Sequence, residues 1–360
     1  MRFLLFGTGN VASQVMNGIS QSESRIEIAG VIDNDEKKQG GVFWGNPVKG
    51  PESIGEISYD YICILLERGY REVYNQLLYG YHVEQCRLVN KFFLLKQLMI
   101  NKYQDSSDQD ICATLAYWGK NNLTFFNQFE FAPMQIERVF WDTDHNMPYI
   151  LYGDKRLYYP RGYSGFFVKD EVLCVNSYRE MEQHTNSPHR YLTSEIYIKE
   201  GDIVVDAGAR EGDFALQFID KIKKLYLFEC DPGWIRALEM TYKDYRDKVV
   251  IIPKMLSDEV SDETTTLSEV LADGKVDFIK MDIEGAEVRA LQASSDLLKE
   301  NSVRCAICCY HKENDRKEIE QILLSNEYEC STSNGYVVFI ADTDIFRTLD
   351  FRKGVVYAKK

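Results

Sequence analysis

Short apolar runs alternate with segments whose apolar positions recur every three or four residues. In the first hundred residues, strands are predicted at RFLLFG, RIEIAGVIDND, YDYICILL and CRLVN, and helices at NVASQVMNGIS, REVYNQLLYGYH and KFFLLKQLM. Strands that alternate with helices are typical of a parallel sheet with helices on its faces. We therefore predict a Rossmann-like α/β domain over residues 1–100.

The pattern changes over residues 101–180. Runs such as LTFFNQFEF and PYILYGDKRLYYPRGY are short, rich in aromatic residues and broken by Gly, Pro, Asn and Asp. This pattern predicts hairpins or irregular structure. We interpret the segment as a connector that also forms a lid or wall.

Regular alternation returns over residues 181–360. Five strands are predicted at IVVDAG, LYLFECD, VVIIPKM, FIKMDIE and CAICCYH, with helical segments between them. The run YECSTSNGYVVFIA predicts two short strands joined by S-N-G, which is a hairpin signal. The predicted fold is α/β, a doubly wound sheet that ends in an antiparallel hairpin.

Composition narrows the function classes. The chain has 360 residues, a formal net charge of −14 and nine cysteines. The negative charge argues against nucleic acid as a partner, and no apolar run is long enough for a membrane span. Cys305 and Cys308 form C-x-x-C, but residues three apart on a strand face opposite sides and cannot share a zinc ion. We expect a cytoplasmic protein with free thiols, and a homo-oligomer is possible.

The stretch IVVDAGAREGD contains a glycine turn after an apolar strand. Glycine allows a sharp turn, and the next helix offers unpaired N–H groups to an anionic ligand. Glu229 ends the following strand, where an acidic residue commonly binds both ribose hydroxyls. These features indicate an adenosine-containing cofactor, either a dinucleotide or S-adenosylmethionine. Arg210 would crowd a pyrophosphate, and the terminal hairpin suits a methyltransferase.

The C-terminal half resembles the FkbM-type family of S-adenosylmethionine-dependent methyltransferases. The resemblance is carried by VVDAGAREGDFAL, LFECDP, TTTLSEVL, DFIKMDIEGAEVRAL and CCYHK, over about residues 180–360. It implies a class I methyltransferase fold and O-methylation, often of sugars or other natural products. The residues that it implies for the cofactor are Asp206, Gly208 and Gly212 at the methionine portion, Glu229 at the ribose, and Ser257 and Asp258 by the adenine. Arg210 stands where an asparagine is common, also beside the cofactor.

Three further polar residues are predicted to be catalytic. Asp282 and Glu284 end strand four, and His311 ends strand five. If strand four neighbours strand one, they converge beside the cofactor's methyl group. We predict His311 as the base or acceptor-orienting group with Asp282 and Glu284 as partners, and we expect no metal. Glu287 is interpreted as a helix N-terminal charge.

A polar stretch, EMEQHTNSPHRYL, precedes strand one. It is predicted to fold over the cofactor or the acceptor, and Ser187 with Pro188 also fits the start of a helix. The polar residues concerned are Glu182, Gln183, His184, Ser187, His189, Arg190 and Tyr191.

A second glycine turn opens the chain. The residues from Gly7 to Ala12 match G-x-G-x-x-A, and Asp33 ends the second strand, as in a dinucleotide fingerprint. The segment GNPVKGPESIGEISYDYICIL is similar to small N-terminal domains of bacterial sugar-modifying enzymes. Three alternatives remain open: nucleotide or nucleotide-sugar binding, a structural or oligomerising domain, and NAD(P) binding.

Together these observations predict an S-adenosylmethionine-dependent O-methyltransferase. Its substrate would be a hydroxyl of a sugar, nucleotide sugar or glycan precursor, which indicates polysaccharide biosynthesis. One alternative is an NAD(P)-dependent sugar-nucleotide oxidoreductase that uses the first turn. Another is a non-catalytic scaffold that retains the fold.

Overall fold

The computed structural model describes residues 1–22, 26–124, 134–271 and 274–360. The chain forms two compact units, and each is discontinuous in sequence. Unit 1 comprises Met1–Gln128 and Val338–Phe351, whereas unit 2 comprises Phe129–Val337 and Arg352–Lys360.

Unit 1 alternates strands and helices along the chain. Its elements before residue 128 are β1 (Arg2–Phe6), α1 (Asn10–Gln21), β2 (Glu27–Ile32), β3 (Val42–Phe43), β4 (Asn46–Lys49), β5 (Tyr61–Ile64), α2 (Tyr70–Asn75), β6 (Leu88–Asn90), α3 (Lys91–Tyr103) and α4 (Gln109–Trp118). Short 3-10 helices span Pro51–Glu56 and Gln85–Arg87, and a π-helical turn spans Gln76–Gly80.

The sheet of unit 1 has the strand order β3-β4-β2-β1-β5-β6. All neighbouring strands are parallel except β3 and β4. β1 lies in the middle of the sheet and its residues from Phe3 to Phe6 are buried, as the continuous apolar run RFLLF predicts.

Unit 2 begins with two small antiparallel sheets. Its elements are β7 (Gln135–Arg138), β8 (Phe140–Asp142), β9 (Met147–Tyr152), β10 (Lys155–Tyr158), β11 (Phe166–Lys169), β12 (Val172–Ser177), α5 (Arg179–Glu182), β13 (Ile203–Ala207), α6 (Asp213–Leu216), β14 (Lys224–Phe228), α7 (Pro232–Thr241), β15 (Val249–Ile252), β16 (Met255–Leu256), β17 (Thr264–Thr265), α8 (Leu267–Val270), β18 (Phe278–Met281), α9 (Glu287–Ala293), α10 (Ser295–Glu300), β19 (Arg304–Cys308), α11 (Asp315–Ser325) and β20 (Glu329–Thr332). After α12 (Ile345–Thr348), which belongs to unit 1, β21 (Val355–Lys359) completes unit 2.

The main sheet of unit 2 has the order β15-β14-β13-β18-β19-β21-β20. The first five strands are parallel, whereas β21 runs antiparallel to both β19 and β20. The sheet is therefore a doubly wound sheet that ends in an antiparallel pair, as predicted. β13 and β18 are adjacent, so the polar residues that end them lie at the same sheet edge.

The position of the terminal hairpin differs from the prediction. β20 pairs with β21 at Val355–Lys359, not with the run that follows S-N-G. Residues 338–351 instead pass into unit 1, where Val338, Ile345 and Phe346 are buried in the same core as α1. The part of this run from residue 338 to 341, VFIA, is apolar because it contributes to the core of unit 1, which its periodicity does not reveal.

Two local predictions are also corrected. Gln109–Trp118 is an α-helix, capped by the Asp108 side chain, within a segment for which hairpins or irregular structure were predicted. Ser187 starts a single turn and not a helix; its hydroxyl accepts from the His189 N–H. Part of the predicted aromatic wall, residues 125–133, lies outside the described residues. Among the residues described, no helix combines the length and apolar character needed to cross a membrane.

Candidate active site

The glycine turn after β13 is pressed against the end of β18. Gly208 has φ +76°, and a Cβ atom there would lie 1.8 Å from the Asp282 carbonyl oxygen. Gly212 has φ +75°, and a Cβ there would lie 2.4 Å from Leu238 Cδ2. At Gly208 the close backbone oxygen excludes a side chain, and at Gly212 the left-handed backbone favours glycine, while a side chain would also require Leu238 to move. The turn thus brings Asp282 directly beside the loop that was predicted to hold the cofactor.

Asp206 and Lys280 form a buried charge pair beneath this turn. Lys280 Nζ lies 2.9 Å from Asp206 Oδ1 and donates to the Gly208 carbonyl oxygen at 2.7 Å. Burial alone would lower the pKa of Lys280, but the Asp206 and Asp282 carboxylates raise it above its ordinary value. Asp206 is fully buried and supports the turn from below. Its predicted contact with the cofactor remains a prediction.

Glu229 ends β14 on the other side of the turn. Its carboxylate accepts hydrogen bonds from the N–H groups of Arg210 (2.9 Å), Cys230 (2.8 Å) and Asp231 (2.9 Å). Arg210 has φ +43°, and its guanidinium lies 5.8 Å from the centre of the Trp234 ring. A partly exposed carboxylate at this sheet edge suits the ribose diol of an adenosyl cofactor.

Ser257 and Asp258 follow β16. The Ser257 hydroxyl is buried and donates to Asp258 Oδ1 at 3.0 Å. The Asp258 side chain is 44% exposed and lies 3.7 Å from the guanidinium of Arg289. The Asp258 carboxylate is thus accessible, whereas the buried Ser257 hydroxyl holds it in place; the predicted contact of both residues with the adenine remains a prediction.

Asp282 lies at the centre of a buried polar cluster. Its Oδ2 accepts from the Tyr191 hydroxyl at 2.9 Å, and its Oδ1 accepts from the Tyr310 hydroxyl at 3.1 Å. His189 Nε2 lies 3.3 Å from Oδ2. Burial would raise the pKa of Asp282, but His189, Lys280 and the other positive neighbours hold it well below its ordinary value. Asp282 is therefore a carboxylate anion and not a proton donor.

His311 lies between three carboxylates. Its Nδ1 lies 3.1 Å from Glu287 Oε1, and its Nε2 lies 3.4 Å from Asp282 Oδ1 and 3.7 Å from Glu284 Oε2. Burial lowers the pKa of His311, but the hydrogen bond and charge of Glu287, together with Asp282 and Glu284, raise it above its ordinary value. The structure thus brings together His311, Asp282 and Glu284, the three residues predicted to be catalytic.

Glu287 and Lys280 were not predicted to be functional. Glu287 is fully buried; its Oε1 also accepts from the Ile283 N–H at 2.8 Å, which fixes the carboxylate beside His311. An acidic residue at the start of a helix usually stabilises the helix dipole, so the sequence pattern gives no sign that Glu287 contacts His311. Both residues lie in the K-x-D-x-E-G-x-E block, which was the available signal.

The polar stretch before β13 reaches the site through two residues. His189 and Tyr191 both contact Asp282, and Gln183 Oε1 accepts from the Tyr191 N–H at 3.0 Å. For the other polar residues of this stretch, a position over the cofactor or the acceptor remains a prediction. His189 and Tyr191 are each 5% exposed and thus belong to the interior.

Glu211, on the glycine turn, adds a further acidic group. Burial is the main reason why its pKa is raised to about 7; the Arg210 charge opposes this effect only in part. An acidic group on this turn suits a positively charged sulfonium compound such as S-adenosylmethionine.

The first glycine turn is built differently. Asp33 Oδ2 accepts from both the Thr8 N–H (2.9 Å) and the Thr8 hydroxyl (2.6 Å), and Lys38 Nζ lies 3.3 Å away. Nothing lies within 4 Å of a Cβ placed on Gly9. Residues 1–89 match the C2185-like N-terminal domain. Neither the geometry nor this match supports the predicted NAD(P) or nucleotide-sugar ligand.

The strand order of unit 2, with five parallel strands and an antiparallel final pair, is that of class I S-adenosylmethionine-dependent methyltransferases. Residues 242–337 match the Methyltransferase FkbM domain. The protein is therefore a methyltransferase that uses S-adenosylmethionine as its methyl donor.

Solved structures of methyltransferases show low similarity to the chain. Methyltransferase FkbM from Methylobacillus flagellatus KT is 14% identical, with 99% of this chain and 89% of that chain covered and a TM-score of 0.42. Aeropyrum pernix fibrillarin with natively bound S-adenosyl-L-methionine is 14% identical, with coverage of 63% and 100% and a TM-score of 0.32. Magnesium protoporphyrin IX methyltransferase from Synechocystis PCC 6803 is 13% identical, with coverage of 45% and 71% and a TM-score of 0.31. Among the curated proteins, none matches the chain.

Proposed function

We propose that the protein is an O-methyltransferase that methylates a hydroxyl of a sugar, nucleotide sugar or glycan precursor. The observation that carries the proposal is the position of His311 between two carboxylates. Its Nδ1 faces Glu287, and its Nε2 faces Asp282 beside the Gly208 turn. This arrangement offers an oriented base at the sheet edge where parallel α/β folds bind their ligands.

The methyl donor fits the residues around the turn. Glu229 would hold the ribose hydroxyls, and Asp258 would lie beside the adenine. The carboxylates of Glu211 and Asp282 complement the positive sulfonium. When bound, S-adenosylmethionine supplies an activated methyl group, so the chain has mainly to orient the acceptor and remove its proton.

His311 is proposed as the group that takes the acceptor's proton. Glu287 Oε1 lies 3.1 Å from Nδ1, where its carboxylate would favour a proton on Nδ1 and leave Nε2 as the basic atom. Once Nε2 binds a proton, Asp282 and Glu284 stabilise the imidazolium, because both carboxylates lie within 4 Å of that nitrogen. Asp282 is thus a positioning and electrostatic group, and His311 is the base.

An aromatic cluster supports a sugar acceptor. Tyr159, Tyr163, Phe166 and Trp234 lie with their ring centres 5.2–5.7 Å apart, and Arg210 adjoins Trp234. Tyr159 is buried, whereas Tyr163, Phe166 and Trp234 are partly exposed, and exposed rings can stack on the apolar face of a sugar ring. Residues 121–163 are also rich in aromatic and amide side chains, and the resemblance to FkbM-type methyltransferases points to the same acceptors.

The experiment measures methyl transfer from labelled S-adenosylmethionine to a panel of free sugars, nucleotide sugars and oligosaccharides. His311→Asn should lower the rate by roughly 10²- to 10⁴-fold, the usual contribution of a general base, while calorimetry shows unchanged affinity for the donor. His145→Asn is the matched control, because His145 is a partly exposed histidine of a β-turn in the same unit. Equal rates for the His311 variant and the wild type would refute the assignment of the base. Transfer only to non-sugar hydroxyls would refute the acceptor class.

A further inference from the structure

Four polar atoms surround one nitrogen of His189. Its Nε2 lies 3.2 Å from the Tyr310 hydroxyl, 3.3 Å from the Tyr191 hydroxyl, 3.3 Å from Asp282 Oδ2 and 3.7 Å from Cys308 Sγ. Most of these separations exceed the common length of an N–H···O hydrogen bond, about 2.9–3.0 Å. Apart from Asp282, which is partly exposed, these residues are at most 5% exposed.

These distances fit the edges of a metal coordination polyhedron. Zinc binds nitrogen, oxygen and sulfur at about 2.0–2.3 Å, and a tetrahedral arrangement then places the ligand atoms about 3.3–3.6 Å apart. The Nε2–Oδ2 and Nε2–Sγ separations of 3.3 and 3.7 Å lie at these values. The ligand atoms of His189, Asp282 and Cys308 all lie within 4.8 Å of one another.

We propose that His189 Nε2, Asp282 Oδ2 and Cys308 Sγ bind a zinc ion. Either the Tyr191 or the Tyr310 hydroxyl oxygen lies close enough to complete a four-coordinate site. A thiolate, an imidazole and a carboxylate select zinc or a similar transition metal over magnesium and calcium, which prefer oxygen ligands alone.

The charges balance at this site. The ion requires the Cys308 thiolate, so binding displaces the thiol proton to solvent. Thiolate and carboxylate together neutralise Zn²⁺, while Lys280, the nearby cation, is already paired with Asp206. A buried site without net charge avoids the large cost of an uncompensated ion.

A neighbouring cluster of Asp282, Glu287 and His311 is a poorer candidate. Glu287 contacts Nδ1 of the His311 ring, whereas Asp282 faces Nε2. The two carboxylates thus lie beside different nitrogens of one ring, so an ion bound to either nitrogen would directly face only one of them, although the three ligand atoms also lie within 4.8 Å of one another. At His189, by contrast, the carboxylate and the thiol face the same nitrogen.

The site gives Cys308 a role that the C-x-x-C spacing did not reveal. Its partners are not Cys305, which faces the other side of β19, but residues from the segment before β13 and from the end of β18. The zinc ion would tie these three parts of unit 2 together on the side of Asp282 away from His311. It would therefore position Asp282 and not bind the acceptor.

The test uses the full-length protein. Protein freed of metal with a chelator and reloaded with Zn²⁺ should retain about one ion per chain after gel filtration, measured by elemental mass spectrometry. Loading with Co²⁺ should produce the near-ultraviolet charge-transfer band of cobalt–thiolate coordination. Absence of both the retained zinc and this band in the wild type would overturn the proposal without any variant.

Variants then locate the ion. Cys308→Ala and His189→Ala should lose the retained ion, and Cys308→Ala should also lose the cobalt–thiolate band. Cys305→Ala is the matched control, since it alters a thiol on the same strand that is equally buried, and it should keep both. An ion kept by Cys308→Ala but lost by His311→Ala would place the metal in the neighbouring cluster and overturn the assignment. None of these readouts depends on methyl transfer, so the proposed function can fail separately.

Discussion

The two glycine turns follow the same sequence pattern and yet differ in what surrounds them. In unit 1, the acidic residue after the second strand, Asp33, is occupied by both donors of Thr8. In unit 2, the equivalent Glu229 accepts hydrogen bonds from backbone N–H groups and, within the described residues, from no side chain, and the adjacent strand β18 presents Asp282 to the turn. A glycine turn alone therefore does not define a site; the neighbouring strand ends supply the chemistry.

We expect the largest difference between the two turns when a glycine of each is replaced by alanine. Gly208→Ala combines a left-handed backbone, which costs roughly 1–3 kcal/mol, with a Cβ placed 1.8 Å from a carbonyl oxygen. We expect loss of the folded protein or a very large drop in the denaturant midpoint. Gly9→Ala, with an ordinary φ of −81° and open space at Cβ, should change stability by about 0.5 kcal/mol or less. If chemical denaturation showed the same loss of stability for Gly208→Ala and Gly9→Ala, the two turns would not differ as proposed.

The lysines beside the two turns should also differ. Lys280→Met leaves Asp206 buried without its partner, a situation that typically costs about 3–5 kcal/mol. Lys38→Met removes an ion pair whose lysine is 44% exposed, which is worth about 0–1 kcal/mol. Urea unfolding of both variants measures the difference. If Lys280→Met were as stable as the wild type, the buried pair would not support the turn.

The acidic residues after the two second strands, Glu229 and Asp33, should differ in their effect on binding of S-adenosylmethionine. Glu229→Ala would remove the charged hydrogen bonds that we propose to the ribose, worth about 1.5–3 kcal/mol, so calorimetry should show roughly 10- to 100-fold weaker binding of S-adenosylmethionine. Asp33→Ala should leave this affinity unchanged. A loss caused by the Asp33 variant alone would assign the cofactor to unit 1.

The smallest effect concerns pH. The pKa of Glu211 is raised to about 7, so between its ordinary value and 7 the folded chain holds a proton that the unfolded chain has lost. This contribution to stability is present at low pH and is lost as pH rises through about 7. Ionisation should meanwhile strengthen binding of the cationic donor severalfold, measured by calorimetry about one pH unit on either side of 7. Glu211→Gln should flatten this dependence, and the exposed Glu259→Gln should not.

Much of the fold follows from periodicity. The parallel strands follow from alternating strands and helices. The convergence of Asp282, Glu284 and His311 was expected only on the condition that strand four neighbours strand one, and the structure shows that it does. The partners of His311 and Asp206 do not, because a charge at a helix start and a lysine within a strand have ordinary local explanations. Only tertiary packing shows that Glu287 and Lys280 are buried beside opposite charges.

The terminal hairpin shows the same limit. An apolar run after S-N-G satisfies a strand pattern, but hydrophobicity does not state which core a run will join. Gly18 indicates the actual packing, since a Cβ there would lie 2.5 Å from Phe346 Cβ. Such a close helix contact involves residues far apart in the chain, and a single sequence does not reveal it.

The excursion of residues 338–351 has a practical consequence for engineering. Val337 and Arg352 pair in a β-bridge at its base, and Arg352 also donates to the carbonyl oxygens of Tyr310 and His311. A fragment that stops at residue 128 would lack Phe346, so the buried side of α1 around Gly18, which packs against Phe346, would be exposed to solvent. Replacing unit 1 with a different N-terminal domain therefore requires two junctions. The second must lie before Arg352, so that Arg352 keeps its hydrogen bonds to the carbonyl oxygens of Tyr310 and His311.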